Sequence, residues 1–299
     1  MIYDYIIIGS GIAGNVCAYI LANEGKSCLV LEKNEVRKEK ICGGGIPHKA
    51  ISLLADIGMN IDKLLGSDVS VINGDISVFP DGKEEKNYYS KTCFALGSRR
   101  RVFDEFLMNE AISKGAEILY NQNVSEYTNY GEYIDVNGFM AKKVIVAIGA
   151  RGFDGRYHVG QSIGISMQFK GKTSLQKDIF YYWYIGDTTK YAWLFPIGND
   201  MWNYGIWYQV PEVEMKTVFE NYKIKIIERF FGTTIEVFQK PRAEFLGNVD
   251  LRSDDDIYGV GDYAGVNNVL NGGGIYRAIK QSINLCKELI WKSSVNVSE

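Results

Sequence analysis

The hydrophobic pattern opens on a strand-length apolar run, Tyr3-Asp-Tyr-Ile-Ile-Ile8, that leads straight into Gly9-Ser-Gly11-Ile-Ala-Gly14. Apolar residues then recur at helical spacing to about Glu24, and a second apolar run, Ser27-Cys-Leu-Val-Leu31, ends at Glu32. The predicted order over residues 3–33 is therefore strand, turn, amphipathic helix, strand. Helical spacing returns at His48–Ile57, on Ala50, Ile51, Leu53, Leu54 and Ile57. Residues 68–97 alternate and carry turn signals at Asn73-Gly74 and Asp81-Gly82, as hairpins do. A helix is predicted over 99–117, with Phe103, Phe106, Leu107, Ala111 and Ile112 on one face and Lys114-Gly115 at its end. A strand near 117–120, a hairpin through 124–138 and the apolar strand Lys143–Gly149 follow.

From Ile163 to about Glu244 the texture changes. Segments 163–169, 179–185, 191–197 and 202–210 are β-rich and aromatic, and one helix is predicted over about 211–230. Aromatics suit pleated surfaces, so strand composition explains part of this run; the rest is free to line an apolar pocket. The pattern then returns to Ile257-Tyr-Gly-Val-Gly261 as a strand. A long helix follows, from Gly274 to about Trp291, with Ile275, Ala278, Ile279, Ile283, Cys286, Leu289 and Ile290 on its apolar face.

Composition narrows the class. The 299 residues are 46% hydrophobic and 23% charged, as in an ordinary globular protein. A net charge of −3 argues against a nucleic-acid partner. No apolar run reaches the length of a membrane span, and the first strand starts too early for a signal peptide. Five scattered cysteines and two histidines give no metal-ligand spacing, so no metal is expected, and a reduced, cytoplasmic chain is.

The chemistry starts at the first turn. Gly9 allows the tight turn, Gly11 lets the main chain approach a pyrophosphate, and Gly14 lets the helix pack on the strand. The helix start offers free N–H groups to phosphate, and Glu32 stands where an acid reaches a ribose hydroxyl. A second glycine run, Cys42-Gly43-Gly44-Gly45, is either a flexible loop or a place where something must come close to the main chain. The Asn271-Gly272-Gly273-Gly274 turn opens the last helix.

Together these stretches resemble the FAD-dependent oxidoreductases of the geranylgeranyl reductase family, within the superfamily of para-hydroxybenzoate hydroxylase and the flavin-dependent halogenases. The resemblance rests on Gly9-x-Gly11-x-x-Gly14 with Glu32, Lys40-Ile-Cys42-Gly43-Gly44-Gly45, and Arg100-Arg-Val-Phe103-Asp104. It rests also on Tyr191-Ala-Trp193-Leu-Phe195-Pro196 and on Gly261-Asp262-x-x-Gly265 through Gly272–Ile275. It implies an α/β fold: a Rossmann-like FAD-binding domain over 1–67, 98–162 and 250–299, with a mainly antiparallel β-sheet substrate domain from 68–97 and 163–249. Gly9, Gly11, Ala13, Gly14, Glu32 and Lys33 would hold the ADP half of FAD, with Val124 nearby. Lys40, Gly43, Gly44, Arg100, Gly261, Asp262, Gly272, Gly273, Gly274 and Ile275 would hold the remainder. Arg100 has a plainer reading as part of a solvated basic patch with Arg99 and Arg101, and Cys42 one as a small buried hydrophobe.

Cys42 and Tyr191 are the catalytic candidates, and Trp183, Trp193 and Phe195 the substrate-pocket candidates. The implied activity is reduction of carbon–carbon double bonds in a small apolar, isoprenoid-like substrate. The alternative is flavin-dependent monooxygenation, or halogenation, of an aromatic or carrier-bound substrate; Tyr191 stands where a halogenase would carry tryptophan. A flavin-binding protein without turnover is the third reading. Ile148 replaces an acid that the superfamily ties to reduction by NADPH, which brings a separate electron donor, and so a redox partner protein, beside NADPH. The short segment after the last helix makes a full-length membrane-lipid prenyl chain less expected as substrate. The aromatic surface leaves a peripheral membrane contact open.

Overall fold

The computed structural model describes residues 1–35, 39–90, 93–150, 153, 160–208, 212–247, 256–265 and 273–295. Its first sheet is built around Ile2–Ile8, which pairs in parallel with Cys28–Leu31 on one side and Phe139–Val146 on the other. Glu117–Leu119 extends the sheet beyond Cys28–Leu31, and Ile257–Gly259 runs parallel to the end of Phe139–Val146. Both faces of the central strand are covered, which explains its unbroken Ile-Ile-Ile run.

On one face lie the helices Ile12–Asn23, Arg100–Ser113 and Gly274–Val295, closing over Ile7, Val30 and Ile145. On the other, the antiparallel strands Thr128–Asn129 and Ile134–Val136 help cover Ile6, Ile8 and Leu29. The first helix was expected to be amphipathic. It is instead buried at nearly every position, because the other two helices pack on it from both sides. Its sequence, IAGNVCAYILAN, already lacks a charged face.

The second sheet has the order Glu236–Gly247, Gly160–Lys170, Met201–Tyr208, Asp187–Pro196, Ile179–Ile185, Gly74–Val78, Glu84–Tyr88. All its pairings are antiparallel except that of Ile179–Ile185 with Gly74–Val78. One face packs on the helical segment Glu212–Lys223, Ile224–Glu228 and Arg229–Phe231 through Met167, Phe169, Trp202 and Tyr204. The predicted single helix over 211–230 is broken by a π turn at Ile224–Glu228, which sets both Ile226 and Ile227 into that core.

A small third sheet joins Gly45–Ile46, Ala95–Ser98 and Val69–Ile72. Asp81-Gly82 makes the expected tight turn, with Gly82 at φ +84°. Asn73-Gly74 does not. There the chain passes from the small sheet to the large one, and the Asn73 N–H donates to the Asp178 carbonyl at 2.7 Å. The short helix Ile61–Leu65, capped by the Asn60 side chain, was not foreseen. No helix among the described residues is long and apolar enough to cross a membrane.

The small sheet meets the large one at Gly97. A methyl group there would run into the Pro196 carbonyl oxygen. Gly97→Ala is expected to lower stability by about 3 kcal/mol, at the upper end for overpacking. A melting temperature equal to wild type would show that this junction is not close-packed in solution.

Candidate functional site

The first glycine turn separates into positions held by packing and one left open. Gly9 has φ +104°, and a side chain there would also meet the Ala147 carbonyl oxygen at 2.6 Å. A methyl group at Gly14 would run into the Gly9 carbonyl oxygen and sit 3.3 Å from the Ala147 side chain. At Gly11 a methyl group would meet nothing within 4 Å, only the cavity. The protein's own packing therefore demands Gly9 and Gly14, whereas the cradle at Gly11 is room for a ligand lying on the main chain.

Glu32 is already oriented. Its Oε2 accepts the Ser10 N–H at 3.0 Å and its Oε1 the Asn34 N–H at 3.0 Å. Asn15, fully buried, donates to the carbonyls of Ser10 and Asp104 and accepts the Ser10 hydroxyl. It ties the turn to the helix Arg100–Ser113. The sequence reading passed over Asn15, although a polar residue inside an all-apolar helix is a signal. Ala13, Lys33 and Val124 line the same cavity. Gly261, at φ +71°, packs against Ala13, and its N–H is committed to Gln281 Oε1 at 2.7 Å.

The second glycine run is mostly packing. At Gly44, φ +77°, a side chain would run into the Ser98 carbonyl, and at Gly43 it would crowd the Trp193 indole. The close approach foreseen at this run is thus made by the protein itself. Cys42 faces the cavity, and its carbonyl accepts the Asn203 amide at 2.8 Å, while Asn203 Oδ1 accepts the Trp193 Nε1–H at 2.8 Å. Asn203 lay outside the sequence candidates; it sets the Cys42 loop on the large sheet.

Lys40 and Asp262 form an ion pair at 2.7 Å on the cavity wall. Arg100 is 6% exposed and forks onto Asp104, Nε to Oδ1 at 3.0 Å and one terminal nitrogen to Oδ2 at 2.9 Å. Burial alone would favour the neutral form, but the Asp104 carboxylate, Cys42 and Asp262 together outweigh it and hold the guanidinium charged beyond its ordinary range. Arg100 is therefore not part of a solvated patch. Its N–H, at the helix start, donates to Glu39 Oε1 at 2.7 Å.

The large sheet supplies the aromatic half. Phe180, Tyr182, Tyr191, Trp193, Phe195 and Trp207 all line the cavity. Trp183 does not. Side chains alternate across a strand, so it shares the opposite face with Tyr181 and packs against Phe230 of the helical layer. The sequence candidate was displaced by one residue: Tyr182 takes the place expected of Trp183. Within the run Phe180–Tyr184 every residue is aromatic, so no polar alternation marks the inward face.

Burial, with Tyr184 and Cys42 as neighbours, pushes the Tyr191 phenol above its ordinary range. Gly273, Gly274 and Ile275 bring the start of the last helix to this same cavity; Gly272 falls outside the described residues. The cavity, about 1170 Å³, is continuous from Gly11 past Gly274 to the aromatic face. Among the described residues no His, Cys, Asp and Glu side chains gather as a metal site.

The NAD(P)-binding Rossmann-like domain family matches residues 7–37, the strand–turn–helix–strand unit. Digeranylgeranylglycerophospholipid reductase 1 of Methanopyrus kandleri is 28% identical over 93% of this chain and 78% of its own length. The digeranylgeranylglycerophospholipid reductase of Methanocaldococcus jannaschii is 24% identical over 93% and 74%. Among solved structures, a geranylgeranyl bacteriochlorophyll reductase-like protein of Thermoplasma acidophilum shares the fold with a TM-score of 0.77, at 20% identity over 97% of this chain and 79% of that one. A flavin-dependent brominase shares it with a TM-score of 0.77, at 19% identity over 96% and 78%. Along nearly its whole length the chain is thus similar to digeranylgeranylglycerophospholipid reductases, and it shares its fold with these two solved structures.

Proposed function

We propose that the protein binds FAD and reduces carbon–carbon double bonds of an apolar, isoprenoid-like substrate. The observation that carries this reading is the single cavity that joins two glycine-opened helix starts to an aromatic trough. FAD bound there would supply, once reduced, a hydride to the substrate.

The chain's own residues do the rest. The main chain at Gly11 leaves space for the pyrophosphate, and Glu32, held by Ser10 and Asn34, would accept a ribose hydroxyl. The positive end of the Gly274–Val295 helix favours negative charge beside it, which suits a reduced flavin. Phe180, Tyr182, Trp193 and Phe195 exclude water and bury the substrate chain. Tyr191 holds its proton at the phenol oxygen and would deliver it to the carbon opposite the hydride; Cys42 lies on the same wall.

Ile148 on the cavity wall, where the resemblance implies an acid, supports a separate electron donor over NADPH. The five unbridged cysteines support a place in the cytoplasm. The test is to reduce the purified flavoprotein with dithionite under argon, add a polyprenol, and follow product mass. A gain of two mass units per reduced bond is expected. Product carrying oxygen from ¹⁸O₂ in an aerobic run, with no reduced product under argon, would move the assignment to monooxygenation.

A further inference from the structure

The aromatic trough is closed on the side of the Gly74–Val78 strand. On the cavity face of the large sheet, strand pairing sets Trp193, Tyr182 and Ser77 in one row and Phe180 and Asp75 in the next. Trp193, Tyr182 and Phe180 line the cavity, whereas Ser77 and Asp75, the next positions in their rows, do not. The cavity therefore ends between the strands Ile179–Ile185 and Gly74–Val78.

Tyr89 stands at that boundary. It lines the cavity, yet its hydroxyl donates to Asp75 Oδ1, past the cavity's end, at 2.9 Å. The ring thus fills the gap between the trough and Asp75, packed against the cluster that holds Ala95, Phe180, Trp193 and Phe195. Its own N–H donates to the Asn73 carbonyl at 2.7 Å, so the residue is pinned at both ends. Burial, with Asp75 as partner, pushes the phenol above its ordinary range, and the hydroxyl keeps the proton that it shares with Asp75. With that proton committed, the ring offers an apolar chain no unpaired donor. Next to Gly74–Val78 lies the edge strand Glu84–Tyr88, exposed at every position. Without the ring, the trough would run out towards solvent.

We propose that Tyr89, positioned by Asp75, is the end wall of the trough and sets the longest apolar chain that the substrate site admits. The proposal rests on the reading of the trough as the substrate site. A chain gains about fourfold in affinity for each methylene it buries. Once its end meets the ring, further methylenes gain nothing.

Saturated alcohols test this without any turnover. The purified holoprotein is incubated with an equimolar mixture of straight-chain alcohols from octanol to eicosanol, delivered from cyclodextrin. Gel filtration removes unbound alcohol, and mass spectrometry measures what is retained. Retention by wild type is expected to rise with chain length and then stop at a cutoff. Tyr89→Ala should retain the first alcohol beyond that cutoff about fourfold better or more, whereas Tyr89→Trp should move the cutoff to a shorter chain. The opposite shifts keep the test valid if the alanine variant folds poorly. Asp75→Ala should blur the cutoff by freeing the ring, and Asp75→Asn, which still accepts the phenol proton, should restore it. No cutoff in wild type, or one that both Tyr89 variants leave in place, would overturn the end wall. A cutoff as sharp in Asp75→Ala as in wild type would refute Asp75 as its support. Retention of no alcohol would overturn the trough reading and the wall together. A cutoff that moves in a protein reducing no polyprenol would leave the wall standing and refute the proposed reaction alone.

Discussion

Replacing Gly11 by valine is expected to leave a folded protein that no longer holds its dinucleotide, whereas Gly14→Val is expected not to fold stably. The two glycines are three residues apart in one motif, yet they answer to different demands. Gly11 has φ −90° and ψ −168°, extended backbone open to any residue, and nothing lies within 4 Å of an added methyl group. As the residue before the helix it loses about 1 kcal/mol or less on substitution. Its new side chain would fill the space where the pyrophosphate must lie, so affinity should fall at least about 100-fold, or 2.7 kcal/mol. At Gly14 the added atoms collide with the Gly9 carbonyl and crowd Ala147, so the helix must lift off the central strand. Overpacking of that kind costs about 3 kcal/mol or more. Melting curves of the apoproteins and flavin titration separate the two effects. A Gly11→Val protein that retained normal FAD affinity would show that the cofactor lies elsewhere.

Tyr191→Phe is expected to slow product formation about 100-fold, the lower end of what a positioned general acid contributes. Phenylalanine keeps the ring and its contacts with Tyr182, Tyr184 and Trp193, so the cavity wall stays in place. Only the proton is lost. The sign of the pH effect follows from burial. The Tyr191 phenol titrates above its ordinary range, so it stays protonated throughout neutral pH and wild-type turnover should show no loss of this donor up to about pH 10. The same shift touches stability. Above about pH 10 the unfolded chain gives up this proton while the folded one keeps it, so stability falls as pH rises further; Tyr182 and Tyr204, also raised by burial, act in the same direction. The measurement is the single-turnover rate of substrate reduction under argon with pre-reduced flavin, with and without the substitution. An unchanged rate would exclude Tyr191 as the proton source and leave the Cys42 thiol or water.

Much of the first sheet and its helices was legible from one-dimensional pattern. A fully buried parallel strand must be apolar on both faces, and Tyr3–Ile8 is almost so. Glycines at positions 9, 11 and 14 with an acid at 32 encode a local unit whose parts touch within one turn of chain, so spacing alone specifies the geometry. The pairing of distant turns was less accessible but still inferable, since the last helix carries both a glycine start and an apolar face. What escaped was orientation on the aromatic sheet. Trp183 was named for the pocket and Tyr182 was not, and a strand made wholly of aromatics shows no period of two to tell them apart.

Local pattern alone thus specified the nucleotide-binding unit, the alternation of its elements and the class of its ligand, because each depends on contacts between near neighbours in sequence. Three things needed the folded chain. One is the split between glycines required by packing and the glycine left for a ligand. Another is the hydrogen-bond chain from Trp193 through Asn203 to Cys42. The last is the cavity face of the large sheet, to which three different strands bring Ser166, Trp207 and Arg242. In each case the partner comes from a segment far along the chain, and which face meets which is decided only by strand register and sheet packing.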